Sequence, residues 1–174
     1  TFATLPVPAG TFTSGLKFGP DGYLYAATAG FTPDPEVAFI WRISPNGKKI
    51  QEYAELDHNG FPNDLAFDDD GEGAGVGGRP GCGKRPDECG DAEVWLKHPL
   101  FAANVEDPYL LVAPFGVDGI AFDKGHDNLY VGNLDYGRIV KIPVGKHGKP
   151  GKPSVVYENI GLIGGVDGIA FDKD

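Results

Sequence analysis

The chain has no methionine, and only two cysteines among its 174 residues. The missing methionine marks a processed form, a fragment or a product that has lost its initiator. Cys82 and Cys89 stand close together with no histidine beside them. A small disulfide loop and two free thiols both stay open, and the pair is a weak zinc signal. Positive charge is scarce, with 15 Lys and Arg against 25 Asp and Glu and a net charge of -10. Nucleic acid and anionic membranes require clustered basic side chains, so neither is an expected partner. No apolar run approaches the ~18 residues that span a bilayer. No secretory signal is visible, although the acidic balance and Met-free start are compatible with a secreted or periplasmic protein. There is no Gly-x-Ser-x-Gly elbow and no phrase suggesting a Ser-His-Asp arrangement.

Glycine and proline are abundant, at 27 and 15 residues. Strand-like runs between them indicate a turn-rich all-β protein. One phrase recurs: TSGLKFGPDG at 13–22, FPNDLAFDDDG at 61–71, GVDGIAFDKG at 116–125 and GVDGIAFDKD at 165–174. Its phenylalanines are Phe18, Phe67, Phe122 and Phe171, spaced 49, 55 and 49 residues apart. Periods of roughly 40–50 residues suit four-stranded propeller blades. Rings of about four to eight blades are usual, so the chain carries three to three and a half blades of an incomplete propeller. A β-sandwich is the competing architecture, but it does not explain a turn phrase that recurs in register.

Each repeat divides into strands A to D. In the first, A is 14–19, the Gly19-Pro20-Asp21-Gly22 turn follows, B is 23–28, C is 37–43 and D is 49–56. Proline presets φ and Asp-Gly tolerates the bend, which is why this tetrapeptide turns. In the third, A lies at 116–123, B at 129–133, C at 137–144 and D at 154–160. The basic loop 145–153 joins C to D as a solvated hairpin. The second repeat, 63–98, has A at 63–67 and D at 92–98, with the glycine-dense stretch 71–91 between them. Eight glycines there leave little to pack. The stretch reads either as an irregular insert replacing two strands or as a locally altered reading frame. The insert 98–115 is expected to cross one face of the ring. Residues 1–5 read as a D strand and 166–174 as the start of a further A strand. Open sheet edges then favour self-association, with two copies approximating a six-bladed ring.

GFPNDLAFDDDG, GVDGIAFDKGHDNLYVGNLDYGRIVKIPV and GVDGIAFDKD resemble the SMP-30/gluconolactonase/LRE-like family. NHL-repeat propellers carry a similar blade phrase. The polar residue just before Gly or Asp at the head of strand A, as in PND and VDG, is the distinguishing detail. The resemblance implies a six-bladed β-propeller with one divalent cation, often calcium, at the mouth of its channel. It implies hydrolysis of sugar lactones or related esters. By position, Asn63 matches the Asn that contacts substrate or metal-bound water. Asp118 stands at a metal-ligand position, and Asp167 matches the acidic ligand that also serves as catalytic base. The family's ligand Glu is replaced by Ser14.

The residue types suit that chemistry. Hard cations take carboxylate, amide and water oxygens. Residues about 50 apart can meet on one ion when successive A-strand heads converge on an axis. Other readings stand beside this one. Asp118 and Asp167 each precede glycine, where a carboxylate commonly bonds local backbone N–H groups. Asp68, Asp69, Asp70, Asp123 and Asp172 lie at A–B turns and read as solvated, as do His58 and His126 in their loops. A non-catalytic propeller fragment that binds a protein or small ligand, or an inactive truncated family member, is the alternative function.

Overall fold

A computed structural model describes residues 1–30, 38–56, 61–68, 73–76, 94–107, 109 and 114–172, with the side chains of 73–76 excepted. The Cys82–Cys89 pair lies outside the described residues, as does most of the glycine-dense stretch.

Among the described residues, ten strands form three sheets. The first is an antiparallel meander of β1 (Phe12–Phe18), β2 (Leu24–Ala29), β3 (Phe39–Ile43) and β4 (Ile50–Glu55). The second pairs β5 (Asp64–Phe67) with β6 (Gly73–Val76). The third is another four-stranded meander, with β7 (Val117–Phe122), β8 (Asn128–Asn133), β9 (Arg138–Pro143) and β10 (Ser154–Glu158). The turn 19–22 closes by a bond from Gly22 N to Gly19 O, 3.0 Å, with Gly22 at φ 77°. Among the described residues, no helix is long and apolar enough to cross a membrane.

The alternation of β2 decides how the blades stack. Tyr25 and Ala27 face the second blade, where they join Ile40, Tyr53, Ala54 and Leu65 in one core. Leu24 and Ala26 face the other way, with Trp41 and Ile43. A second core lies between blades two and three, formed by Ala66, Ile120, Leu129, Val131, Val140 and Ile142. Period-two side chains thus give each sheet two apolar faces, one for each neighbouring blade.

Three segments expected to be strands are not, and one strand was not expected. Residues 1–5 form no strand, yet Ala3, Leu5 and Val7 pack onto Trp41 and Ile43. The alternation there signals a buried face without a pairing partner. Residues 94–98 are also not strand, although Trp95 and Leu96 join the second core. Residues 166–172 are not strand, and no strand among the described residues pairs with them. Conversely, Gly73–Val76 is a strand inside the stretch that reads as irregular. Its backbone pairs Phe67 with Gly73 and Asp64 with Val76, and a ladder needs no large side chains to form. Beyond β10 the chain turns at α1 (Ile160–Ile163), where the Asn159 side chain accepts from Leu162 N.

Candidate functional site

The A-strand heads converge. The Ser14 hydroxyl donates to the Pro62 carbonyl, tying the first head to the second. A Cβ on Gly15 would strike the Asn63 carbonyl and the Asp64 Cα, and a Cβ on Gly119 would strike the Asp167 carbonyl and Ile169. Asp64 accepts from Leu65 N at 2.8 Å and from Ile120 N at 3.1 Å, joining the second head to the third. Glycine is required at 15 and 119 because the next blade's backbone passes against their Cα atoms. The register shifts between Thr13 and Leu16 and again between Val117 and Ile120, at the two corresponding heads. Such bulges bend a strand and re-aim its side chains.

Asp118 is only 5 % exposed, and its Oδ1 has no hydrogen-bond partner among the described residues. Burial, then the charge of Asp167, then that of Asp64 push its carboxyl up to about 7. Asp167 itself is exposed and Asn63 half-buried. The heads bearing Asn63, Asp118 and Asp167 are therefore neighbours, and Asp118 and Asp167 are near enough to repel. Asp64 belongs with them. The sequence offered a signal for it, since Asp64 stands where the other repeats have Gly15, Gly119 and Gly168.

A hard cation suits the chemistry of this donor set. A buried carboxylate oxygen lacking a partner, beside two further acidic residues, is the environment that a divalent ion relieves. The arrangement falls short of a preformed cage, because the described residues contain no group of three His, Cys, Asp or Glu side chains poised to hold a metal. Ser14, at the position where the resemblance implies Glu, spends its hydroxyl on backbone carbonyls instead.

Two further residues shape the approach to Asp118. Asp135, buried in the turn after β8, accepts from Asn104 N (3.0 Å), Tyr109 N (3.2 Å), Phe115 N (3.1 Å) and Gly116 N (3.0 Å). Asn133 is fully buried and donates to the carbonyls of Leu100 (3.0 Å) and Ala102 (2.9 Å). Together they tie Leu100, Ala102, Asn104, Tyr109, Phe115 and Gly116 to the third blade, beside the strand that carries Asp118. Their polarity inside the otherwise apolar VGNLD phrase was the available clue.

No family profile and no curated protein matches the chain. Solved structures do. The PQQ-bound aldose sugar dehydrogenase of Streptomyces coelicolor aligns with a TM-score of 0.63 at 18 % identity, over 93 % of this chain and 54 % of its own. Regucalcin, a calcium-binding protein of Agrobacterium tumefaciens, aligns at 0.57 and 18 %, over 83 % of this chain and 45 % of its own. A chain of a nidogen–laminin complex aligns at 0.65 and 17 %, over 98 % and 56 %. This chain is an incomplete β-propeller of the six-bladed type. It spans about half the length of these propellers. They differ in what they do, so the likeness establishes the fold and leaves function to the site.

Proposed function

We propose that the chain is a cation-binding propeller of the SMP-30/gluconolactonase kind, acting on sugar lactones or related esters. The observation that carries this reading is the buried, unpartnered Oδ1 of Asp118 beside Asp167 and Asp64. Calcium is the proposed ion because every donor is a hard oxygen. Asp118 is its buried anchor and Asp167 its solvent-side ligand. A bound divalent ion supplies Lewis-acid polarisation of an ester carbonyl. The protein's own groups do the remainder. Asp167, exposed at the mouth, accepts a proton from an attacking water. Asn63 presents an amide that orients the substrate through donor and acceptor together. Asp135 and Asn133 tie their backbone partners to the third blade, beside the strand that carries Asp118.

A second reading, a binding module without catalysis, is favoured by one specific feature. Ser14 supplies no carboxylate where the resemblance implies one. Calorimetric titration with calcium and manganese, followed by acid release from gluconolactone, separates the two. Heat with acid release supports the hydrolase, and heat alone supports the binding module. Absence of both removes the cation reading. Asp167→Ala is expected to abolish cation binding while leaving the circular dichroism spectrum unchanged.

A further inference from the structure

The two blade contacts that carry a tyrosine repeat one piece of geometry. Phe67 of the second A strand packs on Tyr25 of the preceding β2, with ring centroids 4.7 Å apart. Phe171 packs on Tyr130 of the preceding β8 in the same way, at 4.9 Å. Around Phe171, Val166 and Ile169 lie over Gly132, and Gly165 N donates to Leu134 O at 3.0 Å. The segment 165–172 therefore occupies the seat of a next blade's inner strand, without forming a strand. The equivalent phenylalanine of the first repeat is Phe18. It is 67 % exposed, with Leu16 exposed beside it on the same side of β1. Phe18 is a knob of the same kind, and no tyrosine among the described residues receives it.

We propose that a second copy of this chain receives it. β1 of one copy takes the seat on β7 and β8 of the other, with Phe18 on Tyr130, and displaces segment 165–172. The exchange is chemically matched, because SGLKF and DGIAF carry the same pattern of glycine, aliphatic and phenylalanine. Gly119 and Gly132 leave room for an incoming backbone. Residues 3, 5 and 7 cover the outer strands of the face that Phe18 shares, through Trp41 and Ile43. Sheets in a propeller fan apart toward their outer strands, so that cover lies where the gap is widest. Two such contacts related by a two-fold axis are isologous, each copy giving its β1 face and receiving at β7 and β8. The inference rests on the fold and does not depend on the cation reading.

The proposal gives two equivalent phenylalanines opposite roles. Phe18 promotes association and Phe171 opposes it by holding the seat. Both are partly exposed, Phe171 at 44 %, so an acidic substitution at either leaves the blades folded. Sedimentation velocity of the full chain, from 1 to 100 μM by order of magnitude, reads the mass against the 18.5 kDa protomer. Phe171→Asp is expected to tighten dimerisation at least tenfold over the parent chain. Phe18→Asp is expected to weaken it at least tenfold, and to reverse the gain when added to Phe171→Asp. Equal weakening by both single variants would indicate undirected apolar contact and overturn the exchange. So would a monomeric Phe171→Asp variant across the whole range.

Discussion

Replacing Asp118 by Asn tests the site at its most unusual group. Asp118→Asn keeps the shape and removes the charge. The folded carboxyl is raised from 3.8 to about 7, first by burial and then by Asp167 and Asp64. The folded state therefore holds a proton between those values that the unfolded state releases. Below the unfolded value the group adds no penalty. As pH rises toward 7 the parent protein loses stability at up to about 1.4 kcal/mol per pH unit. Across the interval the loss amounts to roughly 4 kcal/mol at most, and it stays constant above 7. The Asn variant lacks this dependence. Its new amide can lose roughly 1–3 kcal/mol if left unpaired, but that cost does not vary with pH. Urea denaturation of both proteins at pH 4.5 and pH 8 isolates the difference. The variant should gain on the parent by about 3 kcal/mol between the two conditions. Excess calcium at pH 8 should stabilise the parent alone, by about 2.7 kcal/mol at a hundred times its dissociation constant. A stability difference between the two proteins that is the same at both pH values would refute the buried acidic cluster.

Asp135→Ala leaves four backbone amides without their carboxylate, and should cost upwards of about 3 kcal/mol in urea denaturation. Hydrogen exchange should quicken first at Asn104, Tyr109, Phe115 and Gly116, the amides the carboxylate holds. Gly119→Ala sets a methyl group against the Asp167 carbonyl, whereas Gly168→Ala meets open space. The first should lose about 1–3 kcal/mol with early proteolysis of the tail, and the second should stay within about 0.5 kcal/mol of the parent. Because Asp167 lies on the tail that β1 displaces, calcium and dimerisation should oppose each other by linkage. Sedimentation in excess calcium should therefore shift the chain toward the monomer, and a shift toward the dimer would show that the two sites do not share Asp167.

Local signals in the sequence determined the repeat, the turns and the phase of each A strand. Phe18, Phe67, Phe122 and Phe171 mark that phase, and the alternation of β2 and β8 encodes which side chains face which neighbour. These signals are legible because strand periodicity and turn chemistry act over a few residues. The tertiary structure alone decided what depends on distant partners. Gly73–Val76 became a strand because β5 supplied a ladder, while 1–5 and 166–172 pair with no strand among the described residues. Asp118 looked like any aspartate before glycine until Asp64 and Asp167, from heads about fifty residues away on either side, came close enough to repel it. Burial and charge are sums over neighbours in space, and the chain has to fold before those neighbours exist.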